Sequence, residues 1–76
     1  MKNYNAEIGT WLARKREEKG LSQSDVAKRM NVTKSAVHYW ETNKREIRAD
    51  RMIEYCLVLD VSPQELVKDV MNNACL

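Results

Sequence analysis

The side chains able to do chemistry in this 76-residue sequence are few and unevenly placed. There is one histidine, His38, and there are two cysteines, Cys56 and Cys75. Cys56 lies inside the apolar run Tyr55-Cys56-Leu57-Val58-Leu59, and both cysteines read as free thiols, not as a disulfide framework. With His38 they offer too few ligands, at no recognised spacing, for a structural metal. No serine or cysteine stands where His38 would activate it, and there is no carboxylate dyad or phosphate-binding glycine loop. The chain therefore reads as a non-enzyme without a cofactor. What remains is charge. Residues 28–48 carry Lys28, Arg29, Lys34, Lys44, Arg45 and Arg48 against Glu41 and Glu46, a balance of +4. Residues 49–76 carry Arg51 and Lys68 against five acids, a balance of −3. The net charge of +2 conceals this asymmetry. A basic middle points to a bound polyanion; ordinary scatter over a charged surface is the alternative.

The elements that position these residues follow from periodicity. The length suits one domain over 1–76, and a chain this short buries only about 60% of the surface it exposes when unfolded. Two glycines and one proline are too few for the regular turns of an all-β chain. The longest apolar run is far short of a membrane span, and the first residues lack the apolar stretch of a signal peptide. A cytoplasmic, nucleoid-associated protein is expected. Apolar spacing predicts an all-α, five-helix domain, with helices at about 6–19, 23–30, 34–41, 50–59 and 63–72. Asn5, Ser22, Thr33, Asp50 and Ser62 are the expected caps. Asp25 completes a capping box with Ser22, Pro63 fits a first turn, and Glu65 reaches back to Ser62. Gly20 and Asn31 suit left-handed helix ends.

Residues 23–42 carry the strongest signal. Two short helices are joined by a tight turn at Met30-Asn31-Val32, and Ala27 is small where they would cross. Val26, Met30, Val32, Val37 and Trp40 are placed to bury both inner faces. This is the pattern of a helix-turn-helix, whose second helix enters the DNA major groove. Gly20-Leu21-Ser22-Gln23-Ser24-Asp25-Val26-Ala27 resembles the opening of the motif in the Cro and phage-repressor (XRE-type) family of regulators. Val32-Thr33-Lys34-Ser35-Ala36-Val37, followed by Trp40-Glu41, resembles its second half. Leu59-Asp60-Val61-Ser62-Pro63-Gln64-Glu65-Leu66 resembles the junction of its fourth and fifth helices. The similarity runs from about Ile8 to about Val67. It implies a lambda-repressor-like DNA-binding domain that works as a homodimer on a two-fold symmetric operator in double-stranded DNA. Asn31 and Asp60 depart from the family's usual glycines, and Asp60 is the less comfortable replacement.

With Val37 and Trp40 inward, helix 34–41 presents Lys34, Ser35, His38 and Tyr39 outward, with Thr42 just past its end. Lysine can donate to guanine acceptors, serine can pair with several bases, and His38 can donate to a base or a phosphate. Tyr39 can meet a thymine methyl or a phosphate, or can simply prop the helix. By resemblance these four positions read sequence. By resemblance, too, Gln23 holds the DNA backbone with its amide, and the loop Thr42, Asn43, Lys44 and Arg45 faces the phosphates. Arg48 is a further candidate for a phosphate or the minor groove. Arg16 and Glu41 resemble the family's ion pair between the first helix and the end of the third. Lys15 and Trp11 exchange the family's usual polarity. Either the Lys15 stem packs while Trp11 covers its neighbours, or Trp11 is exposed for a protein partner.

In the last helix Val67, Met71 and Ala74 form a second apolar stripe beside Leu66 and Val70. The stripe, with Val70 included, is a candidate dimer interface; closure of a small core is the alternative. The expected function is a sequence-specific transcriptional regulator, a repressor on a palindromic operator. The alternatives are an antitoxin that regulates its own operon and an interaction module that has lost DNA binding.

Overall fold

The computed structural model describes the backbone of residues 4–75 and the side chains of residues 4 and 6–72. Among them are five helices and no strand: α1 (Asn5–Glu18), α2 (Gln23–Met30), α3 (Lys34–Glu41), α4 (Ala49–Val58) and α5 (Pro63–Cys75). The all-α, five-helix architecture is thus the one read from periodicity, with several ends displaced.

Local chemistry sets most of the starts. The Ser22 hydroxyl accepts from the Asp25 N–H at 3.0 Å, and the Asp25 carboxylate accepts from the Ser22 N–H at 2.9 Å, a complete capping box. The backbone hydrogen bond from Ser22 holds the Asp25 carboxyl below its ordinary value. Thr33 caps α3 by accepting from the Ala36 N–H at 3.1 Å. Two starts differ from expectation. Asp50 does not cap α4: Arg48 takes that place with no side-chain bond, and Asp50 lies in the first turn, where its charge still suits the helix dipole. Tyr4, not Asn5, occupies the capping place of α1, again with no side-chain bond; the Asn5 side chain lies outside the described residues. Ser62 does accept from the Gln64 N–H, at 3.2 Å, but the Glu65 carboxylate faces Lys15 at 3.9 Å and not the start of its own helix.

The four helix ends before α5 share one device. Gly20, Asn31, Asn43 and Asp60 all have positive φ, between 58° and 73°. After each, the next N–H returns to a carbonyl five residues back: Leu21 to Arg16, Val32 to Ala27, Lys44 to Tyr39 and Val61 to Cys56, all at 2.9–3.1 Å. These are Schellman-type ends, which satisfy terminal carbonyls and reverse the chain sharply. Only one of the four uses glycine. Left-handed backbone costs an ordinary residue about 1–2 kcal/mol, less for Asn or Asp because their side chains can bond locally.

Packing follows from these corners. α1 lies against α3 and α5, α2 against α3 and α4, and α4 against α5. Leu12, Val26, Val37, Tyr55, Cys56, Leu59 and Leu66 are the most deeply buried side chains. Ile47, from the irregular segment before α4, also enters the core. Burial pushes the Cys56 thiol up to about 11, so it stays protonated and inert. Trp11 is 2% exposed, and its indole N–H donates to Asp69 Oδ2 on α5 at 2.9 Å. The Lys15 ammonium lies 5.4 Å from the centre of the Trp11 ring and reaches toward Glu18 and Glu65. Of the two accounts of this pair, the packed lysine stem over a covered tryptophan is the one observed.

Gly9 lets α1 cross the end of α3 closely. A Cβ there would sit 2.4 Å from the Trp40 carbonyl oxygen and 2.9 Å from Asn43 Oδ1. We expect Gly9→Ala to lower the unfolding free energy by about 1–3 kcal/mol through overpacking, read from the urea midpoint. Asp60→Gly should act the other way. Relief of left-handed strain, less the extra chain entropy of glycine, leaves a gain of roughly 0.5 kcal/mol, and an unchanged or lower melting temperature would contradict it.

Candidate nucleic-acid interface

The second corner joins α2 and α3 through Asn31, whose left-handed backbone swings the chain so that α3 lies across α2. Val37 and Trp40 fix which side of α3 faces in. Lys34, Ser35, His38 and Tyr39 then lie exposed along its outer side, the four positions that periodicity assigned. The loop beyond α3 folds back onto it. The N–H groups of Lys44 and Arg45 both donate to the Tyr39 carbonyl, at 2.9 and 3.2 Å. The Arg45 guanidinium lies 5.5 Å from the centre of the Tyr39 ring, a cation–π contact that ties the basic loop to the flank of α3. Lys34, Lys44 and Arg45 are exposed on this side. Arg48 is exposed as well and pairs with Asp50 at 3.5 Å.

One of the polar candidates is otherwise engaged, and another shapes the backbone. The Thr42 hydroxyl donates to the His38 carbonyl at 2.8 Å, so its proton is not free for a phosphate. Asn43 supplies the left-handed end of α3, and its side-chain oxygen lies close to Gly9.

Beneath this surface is one carboxylate. The side chain of Glu41 is 4% exposed. Arg16 on α1 donates to it twice, Nε to Oε2 at 2.8 Å and Nη2 to Oε1 at 3.0 Å, and Nη1 of the same guanidinium donates to the Leu21 carbonyl at 2.8 Å. Gln23 Nε2, at the start of α2, donates to Oε1 at 3.0 Å. The Tyr55 hydroxyl, on α4, donates to Oε2. Burial alone would push the Glu41 carboxyl up. Hydrogen bonds from Arg16, Tyr55 and Gln23 and the nearby Arg16 charge outweigh it and hold the group below its ordinary value. The hydrogen bond to Glu41 raises Arg16 in turn, while burial and Glu41 push the Tyr55 phenol well above its usual range.

The Arg16–Glu41 pair stands where the sequence placed it; the other two donors were missed. Tyr55 sits at an apolar spacing that hides its hydroxyl, and Gln23 was assigned outward. The available signal was arithmetic. A buried carboxylate offers about four acceptor sites, more than one guanidinium fork fills. Gln23, which by resemblance holds the DNA backbone with its amide, has the NH2 group of that amide on Glu41 Oε1, leaving its own oxygen as the remaining group.

On α5, Val70 is 4% exposed and belongs to the core, not to the outer stripe of that helix. It falls in register with Leu66, one turn away on the inner face. Val67 and Met71 are exposed, joined by Ile53 and Leu57 of α4, the latter 65% exposed. Met52, Ile53, Pro63 and Val67 line a shallow apolar groove between the two helices. The Ala74 side chain lies outside the described residues. Among the described residues, no helix is long and apolar enough to cross a membrane.

Two short helices at this crossing, with a polar and basic outer face on the second, define a helix-turn-helix domain, the type that lays one helix in the DNA major groove. The chain belongs to the helix-turn-helix family, which it matches over residues 12–66. As such it is a DNA-binding transcriptional regulator. Comparison by sequence with curated proteins gives no match. Solved structures do. The restriction-modification controller protein C.AhdI from Aeromonas hydrophila is 30% identical, with 80% of this chain and 92% of that one covered and a TM-score of 0.76. The controller protein C.Esp1396I, as a tetramer with its natural 35 base-pair operator, is 19% identical, with 95% of each chain covered and a TM-score of 0.82. The clp gene regulator ClgR from Corynebacterium glutamicum is 17% identical, with 95% of this chain and 77% of that one covered and a TM-score of 0.87. The last two share the fold.

The Glu41 network sets a pH dependence. Because the folded carboxyl titrates below its unfolded value of about 4.3, its contribution is complete above that value and is lost as the pH falls through the lower, folded one. Unfolding free energy should therefore drop on the acid side. Glu41→Gln, which leaves the Arg16 charge buried without its partner, should cost about 3 kcal/mol or more at neutral pH and flatten the acid slope. Urea titrations at several pH values measure both.

Proposed function

We propose that the protein is a repressor that binds a palindromic operator as a homodimer, with α3 in the major groove of each half-site. The observation that carries this reading is the outer face of α3, where Lys34, Ser35, His38 and Tyr39 stand exposed above a buried anchor. The amino-terminal end of a recognition helix approaches the base edges, which makes Lys34 and Ser35 the first readers and His38 and Tyr39 the next. Lys44 and Arg45 supply phosphate contacts, with Arg48 beside them and the amino terminus of α2 favouring an anion through its free N–H groups. Thr42, whose hydroxyl proton is engaged, and the exposed Asn43 complete this set. A single α3 reads one half-site, and two-fold pairing through Ile53, Leu57, Val67 and Met71 would cover the exposed apolar face of α4 and α5. The operator-bound tetramer of C.Esp1396I supports the same kind of assembly. The antitoxin alternative needs a toxin-binding surface at Trp11 or in the tail; Trp11 is buried and does not offer one, and the side chains of residues 73–76 lie outside the described residues.

Selection of bound sequences from a random duplex library tests the whole reading. A two-fold symmetric site with half-site centres about 34–36 Å apart is expected; recovery of no preferred sequence would overturn it. Within that assay, Lys34→Ala should cost about 1–3 kcal/mol and relax the preference at one base pair. Lys44→Ala and Arg45→Ala should weaken all sequences alike and lower the salt slope by about 1 each. Val67→Asp should convert a sedimenting dimer to monomer and weaken operator binding, although Val67 is remote from the reading face. A parent that sediments as a monomer with and without DNA would remove the dimer.

A further inference from the structure

The orientation of one amide has a consequence for what α3 can read. A carboxylate only accepts hydrogen bonds. Glu41 therefore dictates that the Gln23 amide turns its NH2 group, and not its oxygen, toward Oε1, where it sits at 3.0 Å. The second proton of that NH2 has another neighbour: Nε2 of Gln23 is 3.5 Å from Nδ1 of His38. A donor aimed at Nδ1 makes that nitrogen the acceptor of the ring. In a neutral imidazole the proton must then sit on Nε2.

We infer that Gln23 is a positioning residue for sequence readout, holding His38 in the Nε2–H tautomer so that it meets DNA as a hydrogen-bond donor. The inference rests on the reading of α3 as the helix in the groove. A donor at His38 Nε2 matches guanine O6 or N7, adenine N7 or thymine O4, and it opposes the amino group of cytosine. The opposite tautomer would set a ring N–H against the Gln23 amide protons and leave Nε2 as an acceptor, with the reverse preference. Flipping the amide would relieve that conflict only by turning its oxygen onto the Glu41 carboxylate. The order of control runs from Arg16 and Tyr55 through Glu41 and Gln23 to His38, so a core carboxylate decides the hydrogen-bonding sense of an exposed ring.

Two measurements test this. Long-range 1H–15N correlation on the labelled full-length protein, in alkaline buffer with the imidazole neutral, reports the tautomer directly. A protonated Nε2 and an unprotonated Nδ1 are expected in the parent. A mixture is expected in Gln23→Met, which keeps the length of the side chain and removes both donors; circular dichroism and a melting curve establish that it is folded. An Nδ1–H signal in the parent, or the same tautomer in folded Gln23→Met, overturns the inference. In the duplex-library selection, His38→Gln places an amide nitrogen near the Nε2 position and should keep the base preference under residue 38. His38→Asn reaches only as far as Nδ1 and should lose that preference about tenfold. Equal preferences in the two variants overturn the readout role. A parent that selects no duplex at all overturns the reading of α3, and with it the readout role, while the spectra still decide whether Gln23 sets the tautomer.

Discussion

The buried carboxylate of Glu41 is the constraint around which the rest of this small domain is arranged. It sits at the carboxyl end of α3, and its donors arrive from α1, α2 and α4. A charge in that position is costly to desolvate, and only a full set of donors makes it tolerable. Each donor fixes the helix that carries it relative to α3. Apolar packing alone would let a helix of two turns rock and slide by a fraction of a residue, because side chains of similar volume can exchange places. Directed bonds to one carboxylate do not allow that. The outer face of α3 is accurate because its inner end is held from three sides.

The same arrangement divides the molecule. Lysine, arginine, histidine and tyrosine gather on and after α3, on one side of the carboxylate. The exposed apolar residues Ile53, Leu57, Val67 and Met71 lie on α4 and α5, in the acidic carboxyl half of the chain. Tyr55 bridges the two regions. It stands on the helix that carries Ile53 and Leu57, yet its hydroxyl ends on the recognition helix. A partner seated on α4 would rest on an element that is bonded directly to the buried end of α3.

Much of this was legible in the sequence, for physical reasons that differ from element to element. The existence and order of the helices follow from apolar spacing, and Ser22 with Asp25 marks a start unambiguously because two side chains must agree. Starts without a cap were less legible. At α4 the acidic Asp50 suggested a cap, whereas the chain enters the helix from Arg48 with no side-chain bond and uses Asp50 one step later for its charge. The outward residues of α3 were readable because Val37 and Trp40 fix its rotation. The donors to Glu41 were only partly readable. Pattern places a residue on a face, but it does not say where a long side chain ends, and Gln23 lies on a boundary from which its amide can turn either way. The buried role of Val70 and the contribution of Ile53 and Leu57 to the apolar face depend on the angle between α4 and α5. Spacing within one helix does not contain that angle.

The left-handed ends of the four helices before α5 carry a different kind of consequence. Their residues, Gly20, Asn31, Asn43 and Asp60, are all exposed, and surface positions are ordinarily free to vary. These are not, because the restriction lies in the backbone and not in any neighbour a substitution would touch. Asparagine, aspartate and glycine are linked by single-base changes in their codons. The tolerated residues at each corner therefore form a connected path, along which a gene can drift while nearly every step away from it bends the chain. An evolutionary record of this domain should show corners that wander among three residue types, framing a reading face that is free to change its letters.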